Sequence, residues 1–513
     1  MNYGKLTKIL GKIMILEALL MLAPLIVSFI YNEPFSHKLA FLLPMLILLL
    51  LGGLSQRIKS ERTNLYQKEG FALTALVWVI MTLFGALPFV INKEIPNYVD
   101  ACFEIMSGFT TTGASIVSDI TKLSHSTLFW RSFSHWIGGM GILAFVLIFI
   151  PESNDGSAMH LLRAESPGPQ VGKIVSKMKV TTRILYLIYL GMTVLEVVIL
   201  LLDSPIPGYE NDHLFFSILA SFGTAGTGGF SFVPGSFELF SPFSQYVVSV
   251  FLILFGINFS LYYLLLIGKI KDFFKSEELK TYVIILIFGV FFVFISLLYR
   301  FDAISISFTA EEAFRHSLFQ VASIITTTGY STTDFNIWPS FAQAVFIIIM
   351  FTGAMAGSTA GGIKLSRIVM AFKGSYINVR SLINPRYVPK VKFEGKTLEQ
   401  KTVNDVFAFI TLYFFILLFV LFLLSFDPVN GTTVVIQNDA GSYEVKHGFF
   451  SNFSASLACI SNVGPGFESI GAYSGYAHYS FFSKIVLMFT MLLGRLEILP
   501  VLILLSKRTW KKV

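Results

Sequence analysis

Ten runs of about 20 mainly apolar residues set the limits on this 513-residue chain, near 8–31, 38–55, 70–92, 127–150, 181–202, 242–268, 280–299, 337–370, 402–426 and 478–505. A helix of that length crosses the roughly 30 Å hydrocarbon core of a bilayer. Only 13% of the residues are charged and 54% are hydrophobic, about half the charge of an ordinary soluble domain. Backbone in lipid must satisfy its own hydrogen bonds, so the prediction is an all-α polytopic membrane protein. The first run follows Lys5 and Lys8 but is too long for a secretory signal, and no small-residue cleavage site follows it. It reads as a retained span within an N-terminal helix pair, 1–60. Cys102 and Cys459 fall inside apolar helices and read as packed thiols, neither a disulfide framework nor a metal cluster.

Charge supplies an orientation. With the N-terminus in the cytoplasm, the segments 1–12, 56–69, 151–183, 268–280, 364–401 and 506–513 all lie inside and hold most of the 38 Lys and Arg. That distribution satisfies the positive-inside rule. The formal charge of +7 then reflects topology and contact with anionic membrane lipid, not nucleic acid.

Between several spans lie apolar segments of about 12 residues that end in small, hydroxyl-rich clusters. They are too short to span and read as re-entrant half-helices entering from outside. The first ends in Thr110-Thr111-Thr112-Gly113 and the third in Thr326-Thr327-Thr328-Gly329. The fourth ends in Ser461-Asn462-Val463-Gly464-Pro465. The second, Phe215 to Gly226, is placed with Thr224-Ala225-Gly226 as its cluster, which sets Ala220-Ser221 like Ala322-Ser323; Gly223 is the alternative glycine. One such cluster is common wherever helices pack closely in membranes. Four, spaced widely enough for a helix, a half-helix and a second helix per unit, indicate an internal repeat. The expected units are pore repeats 61–160, 161–275, 276–385 and 386–513, pseudo-symmetric around a central pore.

The chemistry suits a dehydrated monovalent cation, for which rings of backbone carbonyls replace hydration oxygens without a trapping charge. Turning successive carbonyls inward requires backbone that glycine adopts freely. The half-helix C-termini add negative dipole ends. Candidate ion-binding residues are therefore Thr111, Thr112, Gly113, Thr224, Ala225, Gly226, Thr327, Thr328, Gly329, Asn462, Val463 and Gly464, with a dehydrated monovalent cation as the bound ion and no covalent cofactor.

Together with Glu69-Gly-Phe-Ala-Leu, Phe129-Trp-Arg-Ser-Phe-Ser-His-Trp-Ile-Gly-Gly-Met-Gly141, Ala356-Gly-Ser-Thr-Ala-Gly-Gly-Ile-Lys364 and Gly494-Arg-Leu-Glu497, these clusters resemble the Trk/Ktr/HKT superfamily of potassium transporters. The extra helix pair at 1–60 resembles its TrkH-type bacterial members. The resemblance implies potassium uptake across a bacterial inner membrane by a homodimer, each protomer with its own pore. It further implies a cytosolic nucleotide-binding regulatory subunit of TrkA type. Serine at the first filter position is the family's association with sodium; here that residue is Gly113.

Gly353, Gly357, Ser358, Thr359, Gly361 and Gly362 crowd the run after the third cluster, poor helix material at about 1 kcal/mol per glycine. An unwound loop below the filter is expected, and the resemblance makes it a gate. Gly-Lys-Ser/Thr is absent, so it is no phosphate-binding loop. Arg495 sits among leucines, costly at membrane depth without a partner or water, and the resemblance places it beside the loop; pairing with Glu497 or loop carbonyls is the structural alternative. Lys364 is expected to snorkel to the cytosolic interface. A membrane enzyme would need Ser134–His135 or Ser451–His447 as a nucleophile–base pair, yet no Gly-x-Ser-x-Gly or His-Glu-x-x-His occurs. A transporter, not an enzyme, is the expectation, with a sodium-permeable or ion-coupled symporter as the second reading.

Overall fold

Six helices among the described residues are long and apolar enough to cross a membrane: Tyr3–Ile30, Phe35–Gln56, Glu69–Ile91, Val180–Leu200, Glu277–Tyr299 and Gln400–Leu424. The pair Pro242–Phe255 and Phe259–Leu266, bent by 91°, makes a seventh if taken as one span. The computed structural model describes residues 3–58, 67–141, 178–299, 308–384, 390–438, 441–496 and scattered positions from 498 to 510. Large apolar side chains such as Leu50, Leu187, Phe415 and Phe489 stay exposed on the outer surface, as a lipid-facing wall requires.

One run is interrupted where its glycines lead one to expect, and two more expected to be continuous are not. The run 337–370 splits into Ser340–Thr352 and Leu365–Ile383, the glycine-rich stretch between them being non-helical. The run 242–268 breaks at Gly256-Ile257-Asn258, where the Asn258 side chain caps the second helix by accepting from Ser260 N–H at 2.8 Å. The run 478–505 is helical over Phe481–Arg495. The run 127–150 begins as His125–Gly139, and its remainder lies outside the described residues, as do the expected boundaries near 60 and 160.

The all-α expectation holds for the apolar segments, while two connecting segments carry antiparallel hairpins. Lys392–Phe393 pairs with Lys396–Thr397, and Thr433–Asn438 with Gly441–Lys446. The second strand pair starts with β-branched Thr433-Val434-Val435-Ile436, which suits extended backbone. In the N-terminal pair, glycines allow close approach: a Cβ on Gly52 would lie 2.7 Å from the Gly11 carbonyl oxygen.

At the centre lie four half-helices, Tyr98–Phe109, His213–Gly226, Ala310–Ile325 and Phe449–Ser461. Every residue from Ala101 to Phe109 is buried. Asn97 caps the first by accepting from Val99 N–H at 2.9 Å, and Thr309 with Glu312 forms a capping box on the third.

Candidate functional site

All four half-helices end in the same turn. The N–H groups of Thr112, Gly228, Thr328 and Val463 donate to the carbonyls of Ser107, Gly223, Ser323 and Ala458 at 2.8–2.9 Å. This six-to-one bond marks a Schellman-type termination. The residue before each donor is left-handed: Thr111 (φ 54°), Thr227 (φ 52°), Thr327 (φ 57°) and Asn462 (φ 55°). The residue after each is a positive-φ glycine: Gly113, Gly229, Gly329 and Gly464. Three threonines in a region that L-residues avoid at about 1–2 kcal/mol each are a concentrated strain, of the kind that collects at functional sites.

This pattern corrects the second strand. Thr224, Ala225 and Gly226 form the last turn of the half-helix, where the Thr224 hydroxyl donates to the Ala220 carbonyl at 2.8 Å. Gly223 lies one turn from its end. The strand equivalent to Thr111–Gly113 is Thr227-Gly228-Gly229, because matching Ala220-Ser221 to Ala322-Ser323 sets the register two residues too early. Gly223, not Ala220 or Ser221, holds the position of Ser323.

The four strands approach one another in cyclic order. A Cβ on Gly113 would lie 2.1 Å from the Gly228 carbonyl oxygen, and one on Gly229 would lie 1.8 Å from that of Thr328. The corresponding approaches are Gly329 to Val463 at 2.2 Å and Gly464 to Thr112 at 2.4 Å. No side chain fits at any of these positions, whatever its backbone preference.

Several supports were not foreseen. The buried His135 side chain accepts from Phe230 N–H through Nε2 at 3.3 Å, leaving Nδ1–H to donate to the Gly108 carbonyl at 2.9 Å. A Cβ on Gly228 would fall 2.1 Å from this ring, so the imidazole braces strands one and two together. Just beyond them, Arg131 and Glu104, 1% and 0% exposed, pair at 2.7 Å. Arg131 also donates to the Ser231 carbonyl at 3.0 Å, while Glu104 accepts from Ile116 N–H at 2.8 Å. Tyr476 donates its hydroxyl hydrogen to the Gly464 carbonyl at 2.7 Å. Charges inside an apolar segment are a functional signal, and Glu104 and Arg131 carried it in the sequence.

The glycine-rich segment is a loop packed beneath the third and fourth strands. Gly353 (φ 63°), Gly357 (φ 76°) and Gly362 (φ 75°) take positive φ. Gly361 N–H donates to the Thr327 hydroxyl at 2.7 Å, and a Cβ on Gly361 would lie 2.3 Å from the Ser461 carbonyl oxygen. Ser358 donates its hydroxyl hydrogen to the Met355 carbonyl at 2.6 Å. The break at Gly256–Asn258 receives the loop: Met355 N–H donates to the Gly256 carbonyl, and Phe259 N–H to that of Gly357. Arg495 donates to the Thr359 carbonyl at 2.8 Å and, through its other terminal nitrogen, to the carbonyls of Gly138 and Gly139. One guanidinium thus links the loop to the end of His125–Gly139. Glu497, its alternative partner, lies outside the described residues. Lys364 does not snorkel; it is 9% exposed and donates to the Ala360 carbonyl of its own loop.

A family model described as TrkH, cation transport protein, matches residues 37–512. The chain belongs to the TrkH family. The Trk system potassium uptake protein TrkH of Vibrio parahaemolyticus is 32% identical to it over the whole of both chains. TrkH of Escherichia coli K12 is 31% identical over both full lengths, and TrkG of the same strain 29% over 98% of each. The crystal structure titled potassium transporter TrkH from Vibrio parahaemolyticus matches with a TM-score of 0.83 at 29% identity, covering 100% of each chain. These relatives are named as transport proteins.

In this TrkH-family chain the serine–histidine pairs of the enzyme alternative do not pair. The Ser134 hydroxyl donates to the Arg131 carbonyl at 2.6 Å, and that of Ser451 to Glu468 at 2.6 Å. His447 engages Ser469 at 2.6 Å and Asn452 at 3.1 Å. Cys102 and Cys459 are buried free thiols.

Proposed function

We propose that this chain is the membrane subunit of a Trk-type potassium uptake system, passing dehydrated potassium through a short filter built from the four strands. The observation that carries the reading is the cyclic approach of each strand glycine to the next strand's carbonyl oxygen. Such a ring offers carbonyl oxygens of Thr111, Thr112 and Gly113, of Thr227, Gly228 and Gly229, of Thr327, Thr328 and Gly329, and of Asn462, Val463 and Gly464. They replace the ion's hydration shell. The four half-helix C-termini face the same place, and their dipoles favour a cation there. The similarity to proteins named for potassium uptake supports the choice of ion.

The loop Gly353–Gly362 and Arg495 close the path below the filter. A guanidinium there repels cations while its bonds to Thr359, Gly138 and Gly139 hold the loop in place. Opening requires those bonds to exchange for water. The chain works as a homodimer in a bacterial inner membrane, N-terminus inside, under a cytosolic nucleotide-binding TrkA-type subunit. Uptake of labelled rubidium and sodium into vesicles holding the purified protein tests the reading. Rubidium uptake well above sodium uptake supports it, and equal uptake contradicts it.

A further inference from the structure

The loop is also held from the side that the basic segments assign to the cytosol. One carboxylate oxygen of Glu278, on the first turn of the helix Glu277–Tyr299, accepts from Ala356 N–H at 2.7 Å and Ser366 N–H at 3.1 Å. Ala356 lies in the first half of the non-helical segment, and Ser366 in the first turn of the helix Leu365–Ile383 that follows it. A single side chain therefore ties the loop to the start of the helix after it, and Glu278 is 5% exposed.

That first turn is capped twice: the Ser276 hydroxyl oxygen accepts from Leu279 N–H at 3.3 Å, and a distant segment adds a second cap. Glu394, at the tip of the hairpin Lys392–Thr397, accepts through Oε1 from Ser276 hydroxyl at 2.8 Å and from Glu278 N–H at 3.0 Å. In return Glu394 N–H donates to Glu277 at 3.2 Å. This is the reciprocal arrangement of a capping box, with the cap supplied by a hairpin more than a hundred residues away. Lys373, on the helix that follows the loop, donates to both Glu277 at 2.8 Å and the Lys392 carbonyl at 3.0 Å. Phe393, 1% exposed, packs with Met370 and Val406.

The hairpin's backbone gives a second, independent indication. Glu394 (φ 48°) and Gly395 (φ 71°) both take positive φ, the turn that normally selects Asn, Asp or Gly at its first position. Glutamate is a strained choice there, held because its carboxylate caps the distant helix. Gly395, Lys396 and Thr397 at the tip are exposed.

We infer that Glu278 is the positioning residue of the intramembrane loop, and that the Glu394 hairpin, by capping the helix from which Glu278 projects, couples the cytosolic surface to that loop. Displacing the hairpin removes the second cap, leaves Ser276 to hold the turn alone, and lets Glu278 and the loop it clasps shift. The inference rests on the gate reading for its consequence in transport, but not for the coupling itself.

Hydrogen exchange of the full-length protein in lipid nanodiscs separates the two. The readout is exchange over residues 353–366 in Glu394→Ala, which touches no loop atom. Loss of the cap speeds exchange there by roughly fivefold to tenfold, with residues 98–109 unchanged as the internal control. Glu394→Gln, which keeps an acceptor oxygen, stays near the unsubstituted protein; Glu394→Lys, with charge of the wrong sign for a helix N-terminus, exceeds Glu394→Ala. Loop exchange unchanged in both Glu394→Ala and Glu394→Lys overturns the coupling. Faster loop exchange with unaltered rubidium flux upholds the coupling and removes the loop's role as gate.

Discussion

The backbone N–H of Gly361 donates to the Thr327 hydroxyl at 2.7 Å, so the intramembrane loop hangs directly from the third strand. Thr327 is itself left-handed, at φ 57°. The turn that ends the half-helix thus aims its side chain at the loop, and the third strand and the loop share one residue. On its other flank the loop is tied by Arg495 to the Thr359 carbonyl at 2.8 Å.

Removing either tie should favour the open path. Arg495→Ala eliminates charge-assisted bonds to three carbonyls, each worth about 1.5–3 kcal/mol, and is expected to raise rubidium flux about tenfold with selectivity unchanged. Thr327→Val leaves a buried N–H without an acceptor, at about 1–3 kcal/mol, and raises flux less. Vesicle uptake measures both.

The shifted second strand gives a contrasting pair. Gly229→Ala puts a methyl 1.8 Å from the Thr328 carbonyl oxygen at φ +75°. It is expected to lower the potassium-over-sodium permeability ratio at least about tenfold, or about 1.4 kcal/mol. Ala225→Gly, inside the half-helix, costs about 1 kcal/mol of stability and leaves the ratio alone. Bi-ionic potentials read the first effect and thermal unfolding the second.

Breaking the buried pair should be costly. Glu104→Ala leaves Arg131 charged and buried, a loss of about 3–5 kcal/mol seen as a lower unfolding temperature. Joint replacement of both residues by methionine recovers part of that loss, since no isolated charge remains.

Ahead of the helix Phe481–Arg495, His478 and His447 meet at 3.2 Å. Burial first, and then His447 and Lys484, hold the His478 imidazole down at about 4 against an ordinary 6.5, with Asp427 opposing. A lowered histidine pKa means the folded state binds fewer protons than the unfolded one. Its contribution to stability is complete above pH 6.5 and fades as pH falls toward 4. Between pH 7 and 5 the loss is on the order of 1–2 kcal/mol, and His478→Asn should flatten the slope of unfolding temperature against pH.

Much of this arrangement is legible in the residues, and its failures are instructive. Strands one and three declare themselves through Thr-Thr-Thr-Gly, where the half-helix stops at the first threonine. The second strand hides because Thr224-Ala225-Gly226 imitates the end of a strand while remaining helical. The following Thr227-Gly228-Gly229 reproduces the spacing of Thr111-Thr112-Gly113 and was the available signal. The loop is readable because glycines at 353, 357, 361 and 362 cannot sustain a helix. Its receiving notch at Gly256–Asn258 is harder to read, since a single glycine in an apolar run is often tolerated. Long-range ties such as Glu394 to Glu278 leave no periodic trace, because they depend on which loops meet after folding.

The central claim is best tested by the reversal potential of the purified, reconstituted protein under opposed potassium and sodium gradients. A selective carbonyl ring predicts a potential that follows the potassium gradient and shifts little when sodium is varied. A potential insensitive to potassium would contradict it.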